Sequence, residues 1–269
     1  MNKPNIHRTI VKLKAREYIT PNYVRLTFSG TDIEPYATCT LGVNNKIFIP
    51  PNGVNKVVFP DKDSENTSSI KEFAIRRTYT HVGVDLEKQE IYMDFVAHGT
   101  KGPASDFAIN AEIGASLGVA MKIQEIELAP EVERYCLIGD ATAIPIIRAI
   151  LKTIKPNAEG VVFLEVPSEE DRQEIEKPAN ISIHWIVNEK LGENTLLADT
   201  AITYLKDSKV SESRFAFVAC EYNNVQKARN YLRKEAQWNR EEVSAYSYWK
   251  YGVAETKSET ERRVEKNSI

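Results

Sequence analysis

The chain changes its pattern of hydrophobic and polar positions near the middle, from simple alternation to strands interleaved with helices. In the first half apolar residues often occupy every second position, as at Val24, Leu26 and Phe28. A period of two is typical of strands that bury one face. Further strands are predicted at 46–49, 72–80, 91–97 and 116–120, separated by turn-forming clusters. Several short strands with regular breaks favour a closed β-barrel.

In the second half, short apolar runs alternate with helical patterns. Strands are predicted at 135–139, 161–165, 181–187, 215–220 and 243–248, and helices at 144–154, 195–205 and 224–237. This alternation favours a parallel sheet with right-handed crossover helices. Ligands of such sheets bind beyond the carboxyl ends of the strands. The residues that follow each strand are therefore where a site is expected.

The two patterns divide the chain into a first domain at 1–125 and a second at 126–255. The boundary falls in a polar stretch that contains Pro130. A polar segment at 61–69 is expected to form a loop, and the charged tail 256–269 lacks apolar periodicity. The predicted fold class is an antiparallel β-barrel followed by an α/β domain with a parallel sheet.

Charge and hydropathy exclude several classes of protein. Thirty-five Lys and Arg residues against 38 Asp and Glu give a net charge of −3, so we expect no nucleic-acid partner. No apolar run approaches the roughly 18 residues that cross a bilayer, so no membrane span is predicted. The N-terminus lacks the apolar core of a signal peptide. We therefore expect a cytoplasmic protein, and a monomer.

The cysteines and histidines argue against a metal centre. The three cysteines, Cys39, Cys136 and Cys220, form no C-x-x-C pair, and there are four histidines in the whole chain. A thiolate-ligated cluster or structural zinc site needs closer spacing. No metal ligands are predicted, and any electron chemistry would have to come from an organic cofactor.

The segment Arg77-Thr78-Tyr79-Thr80 indicates a flavin site at the end of a strand. With one residue between them, Arg77 and Tyr79 point to the same face of the strand. An arginine suits a pyrophosphate, and a flat phenol suits an isoalloxazine ring. An exposed Arg/Tyr pair without a ligand is the alternative.

Some twenty residues later, Gly102 and Pro103 open a predicted helix. Proline favours the first helical position, and the N–H groups of that first turn bind anions. An ordinary capped helix is the alternative here. Either feature by itself would favour the alternative without a ligand. The Arg/Tyr pair followed by this helix start, in this order, favours a flavin site.

Three segments follow strands of the second half. Gly139 would let a ligand approach the backbone, and Asp140 or Thr142 could cap the next helix or face a cofactor. Cys220 could line a nicotinamide pocket or serve as a small buried hydrophobe. The aromatic cluster around Lys250 could be strand packing, or it could place this lysine in a cleft between the domains.

These motifs resemble those of the siderophore-interacting proteins, which are flavin-dependent ferric-siderophore reductases of the ferredoxin-reductase-like superfamily. The similarity runs from about Arg8 to Glu255 and rests on five segments: 77–80, 94–99 with 102–105, 139–145, 165–167 and 248–252. It implies a six-stranded antiparallel FAD-binding barrel and then a nicotinamide-nucleotide-binding α/β domain.

The resemblance also implies roles for individual residues. Arg77 would hold the FAD pyrophosphate, Tyr79 would stack on the ring, and Thr80 would bond near its reactive nitrogen. The other implied cofactor-binding residues are His98, Gly99, Gly102, Ala104 and Ser105 for FAD, and Asp140 and Thr142 at the junction of flavin and nicotinamide. Trp249 is a further cofactor-binding candidate, because the interpretation that places Lys250 in a cleft also brings an aromatic ring near the flavin. The implied siderophore-binding residues are Lys46, Lys250 and, with poorer alignment, Lys122.

Three departures from the family pattern stand out. Ala141 replaces a usual glutamate, Cys220 a usual glycine, and Asp106-Phe107 a common Arg-Trp pair. They bear on nicotinamide geometry and adenine packing more than on the presence of FAD.

The implied activity is transfer of electrons from NAD(P)H through FAD to Fe(III) held in a hydroxamate or catecholate siderophore. After strand 161–165, three carboxylates precede Arg172. They should repel a 2′-phosphate where such sheets bind the ribose, which favours NADH over NADPH. A ferredoxin-coupled flavin electron transferase and a non-enzymatic siderophore carrier remain alternatives.

Overall fold

The structure, a computed structural model, describes residues 5–51, 53–54, 56–59, 74–208 and 211–253. The predicted loop at 61–69 and the tail 256–269 lie outside these residues. Contacts divide the chain into two compact units, Met1–Glu127 and Leu128–Ile269. The sequence places the boundary at 125–126, close to this division.

The first unit is built on a curled antiparallel sheet. Its strands are β1 Ile6–Thr20, β2 Tyr23–Ser29, β3 Asn44–Ile49, β4 Ile75–Thr80, β5 Gly83–Asp85, β6 Glu90–Val96 and β7 Ser116–Lys122, and its helices are α1 Glu34–Ala37 and α2 Pro103–Asn110. They pair in the order β4-β3-β7-β1-β2-β6-β5. Every second residue along these strands faces inward and is buried, as at Val11, Leu13 and Leu26. This agrees with the predicted alternation.

The curl brings strands that are distant in the sheet order close together. Tyr79 on β4 and Phe95 on β6 pack with ring centroids 4.5 Å apart, although four strands separate them in the sheet. The sheet is thus a half-barrel of seven strands, which confirms the predicted class but corrects the expected six. The additional strand, Gly83–Asp85, is too short to produce an alternating pattern.

The second unit is a parallel α/β sheet. Its elements are β8 Arg134–Asp140, α3 Ile144–Thr153, β9 Glu159–Val166, β10 Ile181–Val187, α4 Leu196–Asp207, β11 Arg214–Glu221, α5 Tyr222–Asn230 and β12 Val243–Trp249. The strand order is β10-β9-β8-β11-β12, and all neighbours are parallel. The order reverses beside β8, so the carboxyl ends of β8 and β11 flank a switch point, where such sheets bind ligands.

One predicted helix is divided in the structure. The sequence predicts a continuous helix at 224–237, but α5 ends at Asn230 and continues as a π-helical turn, Tyr231–Glu235. Ala236 N–H donates to Tyr231 O at 2.9 Å across this wider turn. Tyr231 and Leu232 remain buried, so the turn preserves the apolar face while changing the pitch.

Gly139 lets helix α3 pack closely on strand β8. A Cβ atom at this position would lie 2.6 Å from Ile147 Cδ1 and 2.8 Å from Ala143 Cβ. The expectation that this glycine admits a ligand is therefore corrected, because the space beside it is filled by its own helix. The close packing fixes the position of the residues that follow β8.

We predict that Gly139→Ala destabilises the protein by about 1–3 kcal/mol, because the added methyl group overpacks this contact. Urea unfolding measures the loss. Ile147→Val removes the Cδ1 atom that the methyl group would meet, so the double variant should lose less than the sum of the two single variants. Additive losses would show that contact between the added methyl group and Ile147 is not the cause of the lost stability.

Candidate functional site

Strand β4 carries the predicted flavin residues of the first unit. Arg77 pairs with Ile47 and Tyr79 with Asn45 across the β3–β4 ladder, so both predicted side chains share one face of the sheet. Both are half-buried, and Arg77 Nη1 donates to Arg76 O at 2.8 Å. Thr80, the last residue of the strand, is buried.

A buried amide lies opposite Tyr79 on the same face. Asn45 is 1% exposed, and neither of its side-chain polar atoms has a hydrogen-bond partner among the described residues. His81, the residue after β4, is also 1% exposed, and burial lowers its pKa to about 4. An unpartnered buried amide is a feature that a bound polar group or an ordered water would complete. Neither residue was predicted from the sequence pattern.

The turn between β6 and α2 is held by its own predicted residues. His98 N–H donates to Ser105 Oγ at 2.9 Å. Gly99 has φ +88°, and a Cβ at Gly102 would lie 2.9 Å from His98 Cε1. The two glycines therefore permit a tight turn with the imidazole packed against the start of the helix. Ala104 is buried in the first helical turn.

Helix α2 is anchored to the half-barrel at its other end. Phe107 stacks on Phe28 with centroids 6.4 Å apart, and Arg16 donates to the carbonyls of Ala108 and Ala111. Asp106 accepts from Asn110 at 2.8 Å, along the helix. The departure at 106–107 therefore has a local explanation, because Phe107 fills the core and Asp106 bonds within its own helix.

The first unit fits a flavin dinucleotide. The first-turn N–H groups of α2 have no acceptor within the helix, and such groups bind phosphate. The Tyr79–Phe95 contact brings β4 beside the strand that leads to this helix. A guanidinium, an aromatic ring, a helix N-terminus and an unpartnered amide thus occur in one unit.

Two of the predicted substrate lysines share the opposite face of the sheet. Lys46 pairs with Thr78 and with Ala120, and its Nζ donates to Thr78 Oγ1 at 2.5 Å. Lys122 is exposed two residues beyond Ala120 on β7, so it lies on the same face as Lys46. Hence Lys46 points away from the Arg77 face.

Three carboxylates lie at the carboxyl edge of the parallel sheet in the second unit. Asp140, Glu165 and Glu221 end strands β8, β9 and β11 or their apolar runs, and they are 3%, 1% and 1% exposed. Asp140 was predicted from its place after β8, whereas no role was predicted for Glu165. The missed signal was an acidic residue at the end of each of three apolar runs.

Asp140 lies at the centre of these contacts. Its Oδ1 accepts from Thr142 N and Oγ1 at 2.9 and 2.5 Å. Its Oδ2 accepts from Glu221 N at 3.0 Å and from Trp249 Nε1 at 2.7 Å. Burial raises the pKa of Asp140, and the bonds from Thr142 and Trp249 oppose that rise. The predicted residues Asp140, Thr142 and Trp249 are thus brought together.

Lys250 has a contact that the sequence did not suggest. Its Nζ lies 4.6 Å from the centroid of the Tyr222 ring, at the start of α5. This is a cation–π geometry. Trp249, a neighbouring member of the aromatic cluster, packs within its own unit, because its indole N–H donates to Asp140.

Burial also alters the protonation of Glu165. Its Oε1 accepts from Asn188 Nδ2 at 2.8 Å. The pKa of Glu165 is raised to about 7, chiefly by burial and also by the nearby Asp140 and Glu221 carboxylates, while the Asn188 bond opposes the rise. Near neutral pH this group therefore changes between a neutral and a charged form.

The described residues contain no cluster of His, Cys, Asp and Glu that could hold a metal ion. Cys39, Cys136 and Cys220 are free and buried, and burial raises the pKa of the Cys220 thiol well above its usual range. This agrees with the interpretation of Cys220 as a small hydrophobe. Within the described ranges, no helix has the length and apolarity that a membrane crossing requires.

Because the folded pKa of Glu165 exceeds its ordinary value of 4.5, its contribution to stability is complete below pH 4.5 and is lost as pH rises through about 7. Glu165→Gln cannot ionise, so we predict that its stability relative to wild type improves between pH 5 and pH 8. The change should be on the order of 1–3 kcal/mol. Urea unfolding at both pH values measures it, and parallel profiles would contradict the assignment.

Two family models match this chain. The model described as a siderophore-interacting FAD-binding domain matches residues 12–121, and the model described as a siderophore-interacting protein matches residues 132–252. A ferric vibriobactin reductase from Vibrio cholerae is 29% identical over 259 residues, which are 96% of this chain and 95% of that protein. A ferric acinetobactin reductase from Acinetobacter baumannii is 23% identical over 182 residues, which are 67% of this chain and 62% of that protein.

Solved structures show the same architecture. A siderophore-interacting protein from Aeromonas hydrophila has a TM-score of 0.81 and 23% identity, covering 97% of this chain and 98% of that chain. A siderophore utilization protein from T. fusca has a TM-score of 0.79 and 24% identity, covering 93% and 95%. At these identities the structures establish the fold, and they confirm the predicted fold class. With the two models together spanning most of its length, the chain belongs to the siderophore-interacting protein family, and its first unit is that family's FAD-binding domain.

Proposed function

We propose that this protein is a ferric-siderophore reductase that passes electrons from NAD(P)H through FAD to Fe(III) in a siderophore. The observation that carries the proposal is a near full-length match to a ferric vibriobactin reductase in a chain whose first unit is an FAD-binding domain. We further propose that it works as a monomer in the cytoplasm, where the released Fe(II) would be used.

The first unit supplies contacts for FAD in this proposal. Arg77 binds the pyrophosphate, Tyr79 stacks on the ring, and Thr80 bonds near the reactive nitrogen. The turn formed by His98, Gly99, Gly102, Ala104 and Ser105 holds the phosphates. When bound, the flavin takes two electrons as hydride and releases them singly, which matches a two-electron donor to a one-electron acceptor.

The substrate is an oxygen-rich, often anionic complex of Fe(III) with hydroxamate or catecholate groups. Lys46, Lys122 and Lys250 attract it as mobile point charges, which suits ligands of varied shape. Fe(III) is a hard cation that oxygen ligands hold tightly, and Fe(II) is softer and held less tightly. Reduction therefore releases the metal, and the protein needs neither a metal ligand nor a general acid of its own.

The segment after β9 supports NADH as the donor. Arg172 Nη2 lies 2.6 Å from Glu169 Oε1 in an ion pair, and a second carboxylate, that of Glu170, lies between these two residues in the sequence. Asp171 is 2% exposed and accepts from Ser168 Oγ at 2.8 Å. The one arginine is thus already paired beside a second carboxylate, so a 2′-phosphate would meet net negative charge.

We expect Arg77→Ala to weaken FAD binding by about 1.5–3 kcal/mol, because a charge-assisted contact to the pyrophosphate is lost. Arg76→Ala is the matched control, since it removes the same charge from the adjacent, exposed position on the other face of β4. Flavin affinity can be measured by fluorescence titration of the apoprotein. Equal effects of the two substitutions would overturn the assignment of Arg77.

The function itself is tested by anaerobic reduction of a ferric siderophore, followed at the flavin absorbance with NADH, NADPH and reduced ferredoxin compared. We expect NADH to give a higher kcat/KM than NADPH. Glu169→Gln frees Arg172 and should narrow that preference. Turnover with ferredoxin alone would support a ferredoxin-coupled electron transferase, and a purified protein without flavin would support a siderophore carrier.

A further inference from the structure

The carboxylate of Asp140 has no acceptor position left for a ligand. A carboxylate offers about four lone-pair sites. Thr142 donates to Oδ1 twice, and Glu221 N–H and Trp249 Nε1 donate to Oδ2. All four donors belong to the second unit, and Asp140 is 3% exposed. Its contribution to a site must therefore pass through the groups that it holds.

Trp249 is directed to Asp140 by a bulge in strand β12. Cys220 pairs with Ser247, but Glu221 pairs with Trp249, so Tyr248 is an extra residue in the ladder. A bulge of this kind re-aims the side chains that follow it. The indole ring then lies against Gly192, where a Cβ would come within 2.8 Å of Trp249 Cη2. The ring is therefore held both by a hydrogen bond to Asp140 and by close packing on Gly192.

The residue on the other side of Lys250 is anchored as well. Tyr251 N–H donates to Glu221 Oε1 at 3.3 Å, and its phenol donates to Glu193 at 2.9 Å. Beyond it, Val253 N–H donates to Lys250 O at 3.1 Å in a turn that contains Gly252 at φ +71°. The backbone of Lys250 is thus held between two fixed neighbours.

We propose that Asp140 is a positioning residue for the acceptor site and acts through Trp249 to fix Lys250 over the Tyr222 ring. The inference rests on the proposed function, because Lys250 is assigned to an anionic ferric complex. It differs from the role implied by the family resemblance, in which Asp140 faces the cofactor directly. The chemical class of ligand that the arrangement selects is an anion, since the group being positioned is an ammonium.

The chain offers substitutions that separate this path into steps. Asp140→Asn keeps the size of the side chain, but its amide must face one of the two donor pairs, so one pair loses its acceptor. Trp249→Phe keeps an aromatic side chain but removes both the indole N–H and the outer ring atoms that lie on Gly192, so it tests the hydrogen bond and the packing together. Lys250→Met keeps the length of the stem and removes the charge. Asp199→Asn, at an exposed ion pair with Lys227, is the matched control.

Binding to the flavin-loaded protein is measured by calorimetry with two probes. One is the anionic complex of Fe(III) with 2,3-dihydroxybenzoate, and the other is neutral ferric acetohydroxamate. We expect Asp140→Asn and Trp249→Phe each to weaken binding of the anionic probe about fivefold, the effect of one partly exposed charge contact, with the neutral probe unchanged. In the Lys250→Met background neither substitution should have a further effect.

A spectroscopic readout follows the first step separately. The indole N–H resonance of Trp249, assigned by its loss in Trp249→Phe, should move upfield in Asp140→Asn and stay in place in Asp199→Asn. The shift is expected whichever way the new amide faces, because a neutral carbonyl is a weaker acceptor than a carboxylate. This signal reports the hydrogen bond whether or not a ligand binds.

Three outcomes decide between the claims. If Asp140→Asn weakens the binding of both probes equally, the inference is overturned and Asp140 is structural only. The same holds if Asp140→Asn weakens binding of the anionic probe as much in the Lys250→Met background as in the wild type. If the wild type binds neither probe and reduces neither, the proposed function fails instead. If Asp140→Asn does not fold, Trp249→Phe in the two backgrounds gives the same comparison.

Discussion

A carboxylate can be kept out of water only where hydrogen bonds satisfy its oxygens, and the carboxyl edge of the parallel sheet meets this condition for both Asp140 and Glu221. Asp140 receives its donors from the start of the next turn, from the end of a neighbouring strand and from an indole. Glu221 caps α5 by accepting from Asn223 N–H and Asn224 N–H. The ends of β8, β11 and β12 and the start of α5 are therefore joined through two acidic side chains, and the position of each element depends on the others.

Aromatic packing connects distant strands of the first unit. The Tyr79–Phe95 contact lies between strands that no ladder joins, and it sets the curl of the half-barrel. The same curl places the predicted ring-stacking residue beside the strand that leads to the turn at His98. Phe107 then fastens the helix to the sheet through Phe28. The positions of the predicted cofactor-binding residues in this unit thus depend on how its aromatic residues fill the core.

The alternation of apolar positions predicted most strands. Burial of one face of a strand leaves a period of two, which can be recognised in one sequence without any comparison. The same signal failed for Gly83–Asp85, which is too short to show a period, and for the π-helical turn at Tyr231–Glu235, which buries the same residues as a regular helix would. Local motifs predicted that Arg77 and Tyr79 share a face and that Asp140 precedes a capped turn. They could not predict the partners of Asp140, because Glu221 and Trp249 are brought to it by the fold and not by spacing along the chain. Nor could they reveal that Gly139 is required by helix α3, since that depends on the depth at which Ile147 packs.

The extra residue in β12 determines more than the direction of one indole. Side chains alternate across a strand, so an insertion of one residue exchanges the two faces for every position that follows. Without Tyr248 in the ladder, position 249 would turn away from Asp140 and the indole could not donate to it. A single irregularity in strand phase thus decides whether the ends of β12 and β8, which are not neighbours in the sheet, are joined by a side-chain hydrogen bond.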